Sequence, residues 1–256
     1  MAVDFPLIEL PETDSTNRYL MDWCDRHHDQ VEPFTVVMSN FQTAGKGQRG
    51  NSWESEAGAN LTFSLLLYPT FLSAKRQFLI SQVVSLGIVQ ALRRYVEEAG
   101  QNDFSIKWPN DIYFRDKKIC GILIETYLEG MNLGRCVCGI GLNVNQQRFV
   151  SDAPNPISLA QILGKETNRR QLLQEVLMAI ASLYAQLEKE GDEASKAIME
   201  QYADSLYRKT GLHAFQDKDG RFMAGIKRVE ADGRLLLEDA DGRERSYLFK
   251  EVQFII

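Results

Sequence analysis

Two apolar runs of β character, Phe34 to Met38 and Leu61 to Leu67, bracket the segment Gln42-Thr43-Ala44-Gly45-Lys46-Gly47-Gln48-Arg49-Gly50-Asn51-Ser52-Trp53. This arrangement constrains the fold more than any other stretch, because it makes a glycine-rich, cationic loop the connection between two strands. The spacing Gly45-x-Gly47-x-x-Gly50 also matches the dinucleotide-binding fingerprint, but that fingerprint needs a helix opening at its glycines and an acidic residue about 20 positions further on. Here the glycines lead through Asn51-Ser52-Trp53-Glu54 and Gly58-Ala59-Asn60 into another strand, so context excludes a Rossmann unit. What remains is a loop built to meet an anion. Glycine lets the backbone approach a ligand closely, and Lys46 and Arg49 supply charge and donors for phosphate or carboxylate oxygens.

The rest of the chain must supply a core and something for that loop to close over. At 256 residues and 44% apolar composition it can bury one large domain, or a large one plus a small one. The net charge of −6 opposes non-specific binding of nucleic acid, so any basic site is local. Cys24, Cys120, Cys136 and Cys138 follow no zinc spacing. The N-terminus shows neither a basic start with an apolar core nor a cleavage site, and no apolar run approaches the roughly 20 residues of a membrane span. A reducing cytoplasm is the expected compartment.

Taken in order, an extended lead (Phe5 to Ile8) precedes Asp14-Ser15-Thr16-Asn17. These short oxygen-bearing side chains suit a helix N-cap, or the lining of a small polar pocket for a neutral heterocycle. Tyr19, Leu20, Trp23 and Cys24 continue at helical spacing, and His27 and His28 read as solvated surface. A long buried helix is expected from about Ala74 to Glu98, stopped by Gly100. Phe104 to Phe114 reads as strand, break, strand, because Pro109 forbids a continuous ladder. Pro109-Asn110-Asp111 suits a turn on its own account, but Lys107 and Trp108 are not turn residues and tilt the break towards a site.

Lys117-Lys118 then feeds the apolar strand Ile119 to Glu125. Lys117 is expected in solvent, whereas a lysine at the mouth of a buried strand can point a fixed charge into a pocket. Cys136 to Asn145 is a further strand, with Gly139 and Gly141 where another backbone or a flat ligand comes close and Cys136 and Cys138 as core. A capped pair of helices is expected from Ser158 to Gly191. Beyond about Tyr207, the dipeptides Asp219-Gly220, Asp232-Gly233 and Asp241-Gly242 mark the hairpins of a small β-barrel or sandwich.

Asp14-Ser15-Thr16-Asn17, the loop from Gly45 to Trp53, Lys107-Trp108-Pro109-Asn110-Asp111, Lys118-x-x-Gly121-Ile122-Leu123-x-Glu125 and Gly139-x-Gly141-x-Asn143-Val144-Asn145 occur in one order and spacing. In that set, which spans about Glu12 to Asn145, the chain resembles the biotin protein ligases. The resemblance implies an α/β catalytic domain over residues 1–205, a mixed sheet flanked by helices and related to the class II aminoacyl-tRNA synthetases, followed by a small SH3-like β-domain over residues 206–256. It also implies two half-reactions: biotin and ATP give biotinyl-5′-AMP and pyrophosphate, and a lysine of a biotin carboxyl carrier domain of a carboxylase then takes the biotinyl group. Such chemistry rests on positioning and on stabilising charge at phosphate oxygens, so it needs cations and backbone donors more than a nucleophile of the enzyme's own.

By the same resemblance, Lys118, Lys46 and Arg49 are the catalytic cations. Ser15, Thr16, Asn17, Gln42, Lys46, Gly47, Gln48 and Lys118 bind biotin. Gly45, Arg49, Trp53, Lys107, Asn110, Asp111 and Asn143 hold ATP and the adenylate, with Asp111 the ligand for Mg²⁺. The family loop commonly carries arginines where this chain has Lys46, Gln48 and Asn51, which implies looser retention of the adenylate. The short lead before the first motif leaves no room for the DNA-binding module of some family members, so no nucleic-acid partner is expected. Nor is a membrane partner expected, and the chain is read as a monomer or a homodimer. A lipoate-protein ligase shares the fold and the adenylation logic, but its arginine-rich, triple-glycine motif is missing. A non-catalytic small-molecule sensor is the rival from another class.

Overall fold

A computed structural model describes residues 5–27, 30–47, 52–150 and 155–256. The strands Leu7–Leu10 (β1), Val36–Ser39 (β2), Leu61–Leu67 (β3), Phe104–Lys107 (β4), Asp111–Phe114 (β5), Lys117–Glu129 (β6) and Asn132–Leu142 (β7) form a seven-stranded sheet in the order β1-β2-β3-β7-β6-β5-β4. The β1–β2 pair is parallel and the other pairs are antiparallel. His213–Asp217 (β8), Gly220–Val229 (β9), Leu235–Asp239 (β10), Glu244–Tyr247 (β11) and Gln253–Phe254 (β12) form a second, antiparallel sheet in the order β11-β10-β9-β8-β12. All three Asp-Gly dipeptides lie at its hairpins, and Gly220, Gly233 and Gly242 take the positive φ those turns require. Among the described residues no helix is long and apolar enough to cross a membrane.

Strand alternation gives the large sheet two unlike faces. Leu61, Phe63, Leu65 and Leu67 of β3 join Cys136, Cys138, Ile140 and Leu142 of β7 in one apolar cluster with the helices Phe78–Arg93 (α2) and Arg169–Glu190 (α5). On the other face, Leu66 and Val137 pack with Leu20 and Cys24 of Thr16–Arg26 (α1). The same face carries Thr62, Gly141, Gly121, Asp111 and Lys107 in one cross-strand row, and Ser64, Gly139 and Leu123 in the next. The glycines in those rows make a floor without side chains.

Helices α2 and α5 meet at Gly87. A Cβ there would lie 2.8 Å from the backbone N and 2.9 Å from the Cα of Ile180. Backbone cannot swing aside as a side-chain tip does, so Gly87→Ala is expected to destabilise the fold by about 1–3 kcal/mol, read as a lowered denaturant midpoint.

The long helix expected over Ala74 to Glu98 is instead a 3₁₀ turn, Ala74–Arg76, then α2, then the short helix Glu98–Gln101 (α3), which contains Gly100. The end of α2 tightens because the N–H groups of Arg94 and Tyr95 donate to Ala91 O and Leu92 O at 3.2 and 3.0 Å. Arg93 then holds the carbonyls of Gln101 and Phe104, which folds the following segment back. The helix pair after Ser158 is present as Leu159–Leu163 (α4), with a full capping box between Ser158 and Gln161, and α5. Sequence reasoning missed a third helix, Asp192–Asp204 (α6), which starts directly after Gly191 at φ +58.

Trp108 is not part of the cleft. Alternation along Phe104, Ile106 and Trp108 turns the indole into the core, opposite Lys107, and its Nε1 donates to Gly233 O at 2.9 Å. With Phe249 at 5.4 Å between ring centroids, Trp108 ties the large sheet to the β9–β10 hairpin. The segment after α6 adds to the edge of β4, where Ile106 N donates to Ser205 O and Tyr207 N donates to Ile106 O.

Candidate active site

The polar end of the cleft is built by the first turn of α1. Ser15 is the N-cap and accepts from Arg18 N, so the capping reading holds; Thr16 and Asn17 are buried and face the sheet. Gln42 Oε1 accepts from Thr16 N at 2.8 Å and Thr16 Oγ1 at 3.1 Å. Ser64 Oγ lies 2.7 Å from Thr16 Oγ1 and 2.6 Å from Asn17 Oδ1, and Asn17 Nδ2 donates to Leu123 O at 3.2 Å and Glu125 Oε2 at 2.7 Å. Gly139 leaves the room for this: a Cβ there would sit 2.9 Å from Asn17 Cγ. The hydrogen bonds consume Gln42 Oε1 and both Asn17 amide protons. Gln42 Nε2, the Ser15 hydroxyl proton and the second lone pair of Asn17 Oδ1 have no partner among the described residues.

The glycine loop folds over the middle of the cleft. Thr43 N and Ala44 N donate to Thr13 O and Asp14 O, Lys46 pairs with Ser52, and Trp53 N donates to Gly45 O at 2.9 Å. Gln48 and Arg49 lie outside the described residues, as do Gly50, Asn51 and His28. Lys46 is exposed and Gly47 half-buried. Trp53 lays its indole across the bare floor: a Cβ at Gly141 would lie 2.6 Å from its Nε1, and one at Gly121 would lie 3.1 Å from its Cζ3. Its buried Nε1–H has no partner among the described residues.

Lys118 reaches the same floor from a bulge between β5 and β6, where the register shifts between Ile112 and Tyr113. Its Nζ pairs with Asp111 Oδ1 at 2.7 Å, lies 5.8 Å from the Trp53 ring centroid, and would touch a Cβ at Gly121 at 3.4 Å. Lys117 is exposed, as expected.

Lys107 extends the row beyond Asp111. Its Nζ stands 5.5 Å from the Tyr113 ring and 5.0 Å from that of Phe254 on β12, so the C-terminal sheet reaches the cleft. Burial pulls its pKa down, Asp111 pushes it up, and Lys118 and Arg208 pull it down further. Asn110 donates its amide to Ile122 O while Ile122 N donates to Asn110 O, which pins the break between β4 and β5 and leaves Asn110 Oδ1 facing out of that pair. Asn143, 3% exposed, holds Ile157 O with its Nδ2 at 3.1 Å. Sequence reasoning gave no role to Ser64 or Glu125, which complete the polar network.

One cleft thus gathers a polar pocket, a glycine-hinged cover carrying an indole, and a lysine–aspartate pair on a glycine floor. The model of the Biotin/lipoate A/B protein ligase family matches residues 9–143, more than half of the chain. The chain belongs to that family. The Bifunctional ligase/repressor BirA of Bacillus subtilis is 32% identical over 218 residues, 83% of this chain and 64% of its own length, so the chain spans just under two thirds of that relative. The Biotin--[acetyl-CoA-carboxylase] ligase of Paracoccus denitrificans is 30% identical over 186 residues, 71% of this chain and 74% of its own. A solved structure of the biotin protein ligase from Aquifex aeolicus in complex with biotin and ATP superposes with a TM-score of 0.77 at 28% identity, covering 98% of this chain and 99% of that one. The fold of the family, a mixed sheet flanked by helices followed by an antiparallel sheet, is the fold seen here.

Proposed function

We propose that the protein joins biotin to ATP as biotinyl-5′-AMP and passes the biotinyl group to a lysine of a carboxyl carrier domain of a carboxylase. The observation that carries this reading is the set of polar atoms left unspent in the pocket. Gln42 Nε2 and Ser15 Oγ–H offer donors, and Asn17 Oδ1 offers an acceptor. A cyclic urea presents the complement, a carbonyl oxygen beside N–H groups, and Lys118 stands along the same floor for a carboxylate at the far end of the molecule.

In the first half-reaction a biotin carboxylate oxygen attacks the α-phosphorus of ATP, and the bond to the bridging oxygen breaks to release pyrophosphate. Lys118 neutralises both the incoming carboxylate and the α-phosphate, which would otherwise repel each other. Lys46 and Gly47 close over the acyl-phosphate, with donors and charge also from Gln48 and Arg49; Gly45 and Trp53 form the hinge and wall of that cover, Asn143 meets the adenine, and Lys107 and Asn110 meet the phosphates. In the second half-reaction a lysine amine attacks the acyl carbon, the bond to AMP breaks, and the ammonium proton is lost to solvent.

Mg²⁺ fits this donor set in part. Among the described residues no group of three or more His, Cys, Asp or Glu could hold a metal ion. Magnesium usually keeps several waters and needs only one or two carboxylates beside substrate phosphates. Asp111, with one oxygen on Lys118 and one uncommitted, and Asn110 Oδ1 are the residues that would hold it. Its chemistry there is to neutralise phosphate charge.

The test is pyrophosphate release from ATP measured with biotin, with lipoate and with neither, then transfer of labelled biotin to a carrier domain. Release with biotin alone supports the proposal. Release with lipoate, or none with either, overturns it. A further expectation concerns Phe254: a cation–π contact with a partly desolvated ammonium contributes about 1–2 kcal/mol, so Phe254→Ala should raise the KM for ATP by about 5–30-fold while Phe254→Tyr holds it near the starting value.

A further inference from the structure

Glu125 has no part in the roles above, yet its carboxylate closes the polar network around Asn17. Resting on the biotin reading, we propose that Glu125 is a positioning residue that fixes which way the Asn17 amide faces, and so sets the hydrogen-bond polarity of the pocket that receives the urea ring.

An asparagine amide can sit either way round, and its neighbours decide which. On one side of Asn17 stand two groups that only accept, Leu123 O at 3.2 Å and Glu125 Oε2 at 2.7 Å from Nδ2. On the other side stands Ser64 Oγ, 2.6 Å from Oδ1, which can donate. The amino group must therefore face Glu125, and Oδ1 faces Ser64 and the bare floor at Gly139. Turned round, the amide would set its oxygen against a carboxylate and a carbonyl. Of the two acceptors the carboxylate makes the shorter, charge-assisted bond, so it contributes most to the preference.

The consequence reaches the ligand. With Asn17 Oδ1 turned to Ser64 and the Gly139 floor, its second lone pair is an acceptor beside the donors of Gln42 and Ser15, and this alternation suits a urea. With the amide reversed, it would offer donors throughout, which suits an anion. Glu125 lies four residues from Gly121 on β6, and strand alternation puts Gly121, Leu123 and Glu125 on the same face. The side chain thus approaches Asn17 from the sheet while α1 holds its backbone.

The experiment measures biotin-dependent pyrophosphate release for Glu125→Ala, Glu125→Gln, Asn17→Ala and the double variant, with thermal melts on each. Glu125→Ala is expected to raise the KM for biotin about tenfold, with kcat and the KM for ATP within about twofold, because the bond from the urea to a correctly turned Asn17 amide is lost in binding, before the chemical step. Glu125→Gln should bring the KM back to within about threefold, since its Oε1 still accepts. The double variant should be no worse than Asn17→Ala alone, since Glu125 acts only through Asn17. Additive effects, a glutamine variant as impaired as alanine, or an unchanged KM in a folded Glu125→Ala protein each overturn the proposal. Absence of biotin-dependent release in the unsubstituted protein would instead overturn the biotin reading itself.

Discussion

Lys118→Ala is expected to lower biotin-dependent pyrophosphate release by about 10²–10³-fold, the usual loss when one preorganised charge donor is taken from a site that stabilises developing charge. Lys118 stands over the floor at Gly121 and pairs with Asp111, in the same cross-strand row as Gly141 and Lys107. No other described cation approaches that floor so closely. The fold should survive the change, because the Lys118 and Asp111 side chains remain 27% and 19% exposed and the pair contributes on the order of 1 kcal/mol. Melting should drop by about 2–4 °C. Lys118→Arg is not expected to rescue, since a planar fork cannot occupy the point position of an ammonium above a glycine floor. Initial rates with saturating ATP and a range of biotin concentrations check this. A folded Lys118→Ala protein that keeps a tenth or more of the activity would remove Lys118 from the chemistry.

That prediction was legible in the amino-acid sequence because Lys118 precedes an apolar strand and Gly121 follows it at a spacing that shares its face once the β-bulge is allowed for. The hairpin turns were legible for the same kind of reason, since Asp-Gly places a positive-φ residue where a two-stranded turn demands one. Trp108 was misread because its polar neighbours suggested a common site, although alternation along Phe104, Ile106 and Trp108 already separates it from Lys107. Ser64 was hidden inside Leu61-Thr62-Phe63-Ser64-Leu65-Leu66-Leu67, a run that looks like plain core. Only the pairing of β3 with β7, which sets Ser64 beside Gly139, shows that it faces α1. Parity with Gly121 was the available signal for Glu125.

Helix α6 escaped for a different reason. Its buried residues Ala194, Ile198 and Tyr202 recur every four positions, but that is a short apolar stripe of three among small and polar residues, and only Gly191 separates it from α5. The expectation of one continuous helix from Ala74 failed because termination there depends on Arg93 reaching the carbonyls of Gln101 and Phe104, a contact between segments that local spacing does not encode.

Gly141→Val should separate activity from stability in the opposite sense to Gly87→Ala. A Cβ at Gly141 would come within 2.6 Å of Trp53 Nε1 and 2.7 Å of its Cζ2, so the indole cannot lie on the floor once a side chain is present. The obstructed group is a side chain on the glycine loop, not a helix backbone, and it can withdraw; valine is also well suited to a strand. Melting is therefore expected to stay within about 3 °C of the starting value, since withdrawal of a half-buried indole on a loop costs about 1 kcal/mol or less. Activity is not spared. The loop that carries Lys46 and Gly47 is tied to Trp53 through the bond from Trp53 N to Gly45 O, so lifting the indole is expected to displace the cover with it. Misplacement of about 1 Å can cost about 10²-fold in rate, and biotin-dependent pyrophosphate release should fall by that order. Tryptophan emission should shift to the red as Trp53 leaves the sheet, with Trp23 and Trp108 as an unchanged background. A Gly141→Val protein with full activity and unshifted emission would mean that the indole does not need this floor, and that the glycine serves the strand alone.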